Sequence, residues 1–121
     1  MKFDHIGIFV KEIDYGQTEL SKVIEIFKKS EIFHDTLLNV SVQFCYDKCG
    51  ICYELVAPYG ENNPVESVLK DNGNILNHIE YKTNKFDETI LHFREIGCLP
   101  LGPAKAAIAF KGSKVIFSLL H

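Results

Sequence analysis

The chain has 121 residues, of which 46% are apolar and 24% charged, with a formal net charge of −3. That length suits one ordinary domain, and that mixture excludes long disorder. The acidic balance and the lack of a basic cluster exclude a nucleic-acid footprint, and no run approaches the roughly 20 apolar residues of a membrane span.

Residues 2–10 alternate and are rich in β-formers, which predicts a strand. No signal-peptide pattern opens the chain, so a cytoplasmic location and four free cysteines are expected. Asp14 and Gln17 have the spacing of a capping box and predict a helix start. Leu20, Val23, Ile24 and Phe27 then form one apolar stripe, with Glu19, Lys22, Glu25, Lys28 and Lys29 toward water and a stop near Ser30. Three β-like runs follow near 31–37, 39–46 and 51–57, the last two joined by a turn at Asp47-Lys48-Cys49-Gly50. After a loop to Asn62, Asn63-Pro64-Val65-Glu66 reads as a capped helix start, and Asn72-Gly73 as its stop.

The pattern then restarts. Residues 75–83 predict a strand, Asp87 caps a helix carrying Ile90, Phe93 and Ile96, and Gly97 stops it. Runs near 98–101, 105–110 and 114–120 follow, with a tight turn at Lys111-Gly112-Ser113. His5-Ile6 and His78-Ile79 open the two halves, and in each the histidine lies nine residues before an aspartate, Asp14 or Asp87. The element order and these matched starts predict a duplication: an α+β fold of two βαβββ modules on a curved mixed sheet with helices outside. The expected division is a first module over 1–62, a linker helix over 63–74 and a second module over 75–121.

Alternate strand residues share a face. Ile6, Ile8 and Val10 are expected to cover the helix side, leaving His5, Gly7 and Phe9 on the other. Likewise Ile79, Tyr81 and Thr83 take the helix side, and His78, Glu80 and Lys82 face away. Glu54 shares a face with Cys52 and Val56 inside an apolar run, where a carboxylate is costly unless something pairs with it. Two imidazoles and a carboxylate converging on one surface make a divalent-metal constellation. The bland reading stands beside it: a strand histidine is more often structural, and Glu54 could face solvent. Gln43, in the apolar run Val42-Gln43-Phe44, is a candidate to bond a substrate, or a solvent-facing residue. Glu80 is a candidate base, or a rim carboxylate.

The segments His5-Ile6-Gly7-Ile8-Phe9-Val10, Glu54-Leu55-Val56-Ala57-Pro58-Tyr59-Gly60-Glu61-Asn62-Asn63-Pro64-Val65 and Asn77-His78-Ile79-Glu80-Tyr81 resemble the vicinal oxygen chelate superfamily, in its glyoxalase and methylmalonyl-CoA epimerase-like branch. The resemblance implies a divalent metal such as zinc, nickel or cobalt, held by His5, Glu54, His78 and a fourth residue in the last strand. That fourth position, usually Glu in the family, is Ser118 here, a poor ligand; His121 is the nearby substitute and has the wrong strand parity. The resemblance also implies a small-molecule substrate and a homodimer. It leaves two functions open: a metal-dependent isomerase or lyase acting on a small carbonyl or acyl-CoA-type thioester, and a sequestering protein without turnover. An extradiol-type oxygenase is a third, less suited to so short a chain.

Cys45, Cys49 and Cys52 have the three-cysteine spacing of an iron–sulfur ligand set. They straddle a predicted hairpin in a chain far too short for the barrel that such enzymes need, so buried or turn thiols are expected. His34 and His92 are expected to be surface or helix residues.

Overall fold

The computed structural model describes residues 1–70, 73–101, 105–106, 114–116 and 118–119. Residues 3–81 form one compact unit, and residues 1–2 with 82–121 another. Among the described residues, no helix is long and apolar enough to cross a membrane.

The first unit is built on a six-stranded mixed sheet in the order β2-β4-β5-β1-β6, with β3 also paired to β4. Its strands are β1 (Lys2–Phe9), β2 (Lys28–Lys29), β3 (Phe33–Asp35), β4 (Val40–Tyr46), β5 (Cys52–Pro58) and β6 (Ile75–Lys82). β1 and β5 run parallel, with Gly7 opposite Glu54. β4 and β5 form the expected hairpin, with Phe44 opposite Glu54 and Gln43 opposite Leu55. At its turn Asp47 Oδ1 accepts the N–H groups of Cys49 and Ile51, and Gly50 supplies a left-handed residue at φ 82°.

The helix α1 (Ile13–Ser21) differs from the sequence expectation at both ends. Its N-cap is Glu12, which makes no side-chain cap bond, and Asp14 sits in the first turn instead. There it lies near the positive end of the helix dipole. The helix stops at Ser21, well short of Ser30. Val23 and Phe27, expected on the buried stripe, are 82% and 69% exposed. The physical reason lies in the run Val23-Ile24-Glu25-Ile26-Phe27, which is also β-rich. The Phe27 N–H donates to the Tyr46 carbonyl, and Lys28 and Lys29 pair with β4 as an exposed edge strand. Sheet pairing therefore overrides the helical period. β2 and β3 line the same edge of β4, linked through Ser30, whose N–H donates to the Phe44 carbonyl.

The core on the helix side gathers Val10, Ile13, Leu20, Cys45, Leu55 and Ala57, with Ile8, Ile24, Ile26 and Tyr53 packed against it. Gly16 lets α1 approach β1: a methyl there would come within 2.8 Å of the Val10 side chain. The expected cap of α2 (Glu66–Leu69) is present in its bonds, since Asn63 Oδ1 accepts the N–H groups of Val65 and Glu66. Asn72, in its expected stop, lies outside the described residues.

In the second unit, α3 (Phe86–Glu95) starts after Lys85 rather than at Asp87, which falls in its first turn. Gly97 ends it at φ 90°, with the Cys98 N–H returning to the Phe93 carbonyl. β7 (Leu99–Pro100) pairs antiparallel with β10 (Ser118–Leu119), and β8 (Lys105–Ala106) with β9 (Lys114–Val115). The expected turn at 111–113 and His121 lie outside the described residues.

Candidate metal centre

Alternation along β1 sends Ile8 and Val10 into the helix-side core and buries His5, Gly7 and Phe9 on the opposite face. Along β5, Tyr53, Leu55 and Ala57 go to the core, so Cys52, Glu54 and Val56 share the face of His5. β6 lies beside β1 and brings in His78 from 73 residues away. The approach requires Gly7, because a methyl at that position would overlap the His78 ring atoms Cε1, Nε2 and Nδ1.

Three side chains expected from the sequence therefore meet. His5 Nε2 lies 3.3 Å from Glu54 Oε1, His78 Nε2 lies 3.2 Å from the same oxygen, and the two Nε2 atoms are 3.3 Å apart. This is a nearly equilateral triangle of donor atoms. Donors bonded to one ion at about 2.1 Å stand roughly 3.0 Å apart at octahedral angles and 3.4 Å at tetrahedral ones. The observed edges fall between, and the nitrogen and carboxylate donors suit zinc, nickel or cobalt. His5 is fully buried and Glu54 nearly so. Phe44 stands edge-on to the His5 ring at 5.9 Å between centroids, and Phe9 edge-on to His78 at 6.5 Å.

Electrostatics bind the three together. Burial works against charge on His5, but hydrogen bonding to Glu54 and the Glu54 charge, then Asp4 and Glu80, outweigh it and raise its pKa to about 9. Burial alone would raise the Glu54 carboxyl; its hydrogen bonds to His5 and His78 and their charge bring it below the ordinary carboxylate range. Glu80 Oε2 lies 3.6 Å from His5 Nδ1, and burial, with the charges of Glu54 and Asp4, pushes its carboxyl upward against the pull of His5 and His78.

Gln43 is placed elsewhere in the same unit. Gln43 is buried, but its register partner is Leu55, so it points to the helix side. Its amide donates to the Ser30 carbonyl and its oxygen accepts from Gln17, so it does not join His5, Glu54 and His78. Ser118 lies in β10 opposite Pro100, in the other unit. Cys45 lies in the helix-side core, whereas Cys52 is on the Glu54 face, so a shared cluster is not formed. Burial raises the Cys45 thiol and pushes Cys52 up to about 11, which keeps both protonated. His34 is an exposed strand residue stacked on Tyr59, and His92 an exposed residue of α3. Ile79 and Tyr81, expected to be covered, are exposed, with Tyr81 edge-on to Phe3.

Sequence reasoning passed over Asp4 and Asn77. Asp4 Oδ2 lies 2.6 Å from His5 Nδ1, and Asn77 Oδ1 lies 2.9 Å from His78 Nδ1. The signal was present: each histidine follows directly on a residue with an acceptor oxygen.

Residues 4–117 match a family described as the Glyoxalase/Bleomycin resistance protein/Dioxygenase superfamily. No curated protein matches the chain. Among solved structures, a hypothetical protein from Bacillus halodurans C-125 is similar at 22% identity and a TM-score of 0.82, over 98% of this chain and 83% of that one. Methylmalonyl-CoA epimerase from Mycobacterium tuberculosis is similar at 16% identity and a TM-score of 0.80, over 98% and 78%. A Streptomyces coelicolor methylmalonyl-CoA epimerase variant in complex with 2-nitronate-propionyl-CoA is similar at 21% and 0.70, over 98% and 87%. At these identities the likeness shows a shared fold.

Proposed function

The chain belongs to the glyoxalase/bleomycin resistance protein/dioxygenase superfamily, the vicinal oxygen chelate group, and from that premise we propose that it is a metal-dependent isomerase or lyase acting on a small carbonyl compound or acyl-CoA-type thioester. The observation that carries the reading is the triangle of His5, Glu54 and His78, with donor atoms 3.2 to 3.3 Å apart on one face of the sheet. The thioester substrate class is supported by structural neighbours that are epimerases, one of them in complex with a propionyl-CoA analogue.

His5, Glu54 and His78 would hold the ion. A divalent ion in this site supplies Lewis-acid stabilisation of the charge that develops on a carbonyl oxygen when an adjacent proton is removed. We keep Glu80 as the candidate base: it shares a strand face with His78, its Oε2 lies 3.6 Å from His5 Nδ1, and burial raises its carboxyl. His5 and Glu54 are buried, and Phe44 against the His5 ring and Phe9 against the His78 ring restrict the motion of the two imidazoles.

A second reading, small-molecule binding without turnover, is favoured by one feature. Ser118 stands where the family usually has a metal-binding Glu. We also read the 1–62 and 75–121 modules as copies, supported by the acceptor that precedes each histidine, Asp4 or Asn77. The free thiols of the described cysteines fit the reducing cytoplasm, and we propose a homodimer there.

Elemental analysis of protein purified without chelators or a histidine tag tests the metal. Near-stoichiometric metal, lost in His5→Ala and His78→Ala, is expected. Absence of metal, with no affinity for added nickel, cobalt or zinc, would sink the proposal. Deuterium exchange from solvent into acyl-thioesters then separates turnover from binding alone.

A further inference from the structure

We propose that the cleft between α1 and the chain leading into β2 is a second ligand site, built for a small phosphorylated sugar. It lies on the helix side of the sheet, away from the face of His5, Glu54 and His78, and it does not depend on the metal reading.

The cleft has a volume of about 330 Å³ and is lined by Gln17, Thr18 and Ser21 of α1 and by residues 26–29. Small-molecule pockets run from roughly 300 to 1,000 Å³, so a compact ligand fits. The cleft also gives a reason for Gln43. That side chain is buried in an apolar strand, where an amide is costly unless it is bonded. Its bonds run in one direction. Gln43 Nε2 donates to the Ser30 carbonyl, which turns the Gln43 oxygen toward Gln17. Gln17 Nε2 donates to that oxygen, which turns Gln17 Oε1 toward Lys29, whose Nζ donates to it at 3.1 Å. Two amides, anchored on a backbone carbonyl, thus hold one ammonium at the cleft.

An ammonium has three N–H donors, and the bond to Gln17 uses one of them on a neutral atom. Glu19 and Glu25, from the same stretch of chain, pair with Lys22 and Lys48 instead. Among the described residues, no carboxylate pairs with Lys29. A lysine held this way suits a phosphate, which it meets as a point charge.

The two hydroxyls select the rest of the ligand. Thr18 Oγ1 donates to the Asp14 carbonyl and Ser21 Oγ to the Thr18 carbonyl. Their protons are used, so the oxygens offer lone pairs, which suit ligand O–H groups rather than a second anion. Phe27 is exposed at the same cleft and supplies apolar surface for the C–H face of a sugar ring. One anionic end, several hydroxyls and an apolar face together describe a sugar phosphate. Lysines on an edge strand also deter pairing with another chain. Lys28, whose Nζ sits 5.1 Å over the Tyr46 ring, needs no further role, but that use leaves the buried Gln43 relay behind Lys29 unexplained.

Proton–nitrogen NMR titrations of the full chain with ribose phosphate, ribose and inorganic phosphate test the site. Ribose phosphate should shift the side-chain amides of Gln17 and Gln43 and the backbone amides of residues 26–29, with a Kd of about 1 mM or tighter. Ribose lacks the charge, and inorganic phosphate lacks the hydroxyls and the apolar face. Each should bind at least about 10-fold more weakly. Lys29→Gln should weaken ribose phosphate binding about 10-fold or more, the loss of a charge-assisted bond, and Lys29→Arg should stay within about threefold. Both replace an exposed edge side chain, so the fold is kept. Gln17→Leu, which removes the last amide of the relay, should also weaken binding. The proposal is overturned by the lack of a saturable shift up to about 10 mM, or by Lys29→Gln binding within about twofold of the wild type. Inorganic phosphate binding as tightly as ribose phosphate, or shifts confined to the neighbours of His5 and His78, would overturn it as well.

Discussion

Replacing Gly7 by alanine should abolish high-affinity metal binding although Gly7 donates nothing to the metal. A methyl at Gly7 would lie against three atoms of the His78 ring, the farthest of them, Nδ1, at 2.5 Å. Carbon and nitrogen atoms pack comfortably at about 3.5 Å or more, so the ring must retreat by at least about 1 Å. Metal–ligand distances tolerate about 0.2 Å. The displaced imidazole therefore ceases to be a ligand, and the donor triangle loses a corner. Gly7 is not held in a left-handed backbone conformation, so the alanine costs space rather than strain in φ. We expect cobalt affinity to fall at least about 100-fold, beyond the loss of an outer-shell contact, and stability to fall by about 1 to 3 kcal/mol from overpacking. Titration of the cobalt absorption bands and thermal unfolding measure the two effects. The decisive comparison is a double-mutant cycle with His78→Ala, which removes the obstructing ring. The double variant should bind metal no worse than His78→Ala alone and should recover the overpacking loss. Gly7→Ala binding cobalt like the wild type, or losses that simply add in the double variant, would refute the steric argument.

Metal-free protein should be most stable between about pH 4.5 and 6.5 with respect to this site. The His5 pKa is raised to about 9, so its contribution is fully present below its unfolded value near 6.5 and is lost as pH rises through 9. Glu54 is lowered, so its contribution is present above its ordinary value of 4.5 and is lost as pH falls through the folded value. Denaturant melts across pH check both limbs, and flat stability from pH 6.5 to 9 would contradict the His5 assignment. Because an ion must displace the His5 proton, metal affinity should climb with pH up to about 9, with proton release visible in weakly buffered calorimetry. Gln43→Leu should leave cobalt affinity unchanged while lowering stability by about 1 to 3 kcal/mol, since it leaves the Ser30 carbonyl without its amide partner; a loss of metal binding would place Gln43 at the centre after all.

Much of the candidate site was legible because β-strand alternation is a local property. His5, Gly7 and Phe9 segregate from Ile8 and Val10 by period alone, and Glu54 segregates from Leu55 in the same way. The start of α2 was legible for a similar reason, since Asn63 acts on N–H groups two and three residues away. The end of α1 was not. The run from Val23 to Phe27 satisfies both a helical stripe and a β-rich composition, and the bond from Phe27 to Tyr46, 19 residues on, chooses between them.

The side taken by Gln43 was hidden in another way. Its own strand says only that Gln43 and Phe44 face opposite ways. Register with β5 puts Phe44 with Glu54 and Gln43 with Leu55, and a slip of one residue would reverse the assignment. The sequence alone thus determined which residues can share a face: His5 with Gly7, Cys52 with Glu54, and His78 with Glu80. Tertiary structure alone decided that these faces meet, through the β5-β1-β6 order, the register of Gly7 against Glu54, and the absence of a side chain on Gly7 where the His78 ring arrives. The period of a strand is set by its own backbone, whereas neighbour order and register are set by contacts between segments far apart in the chain.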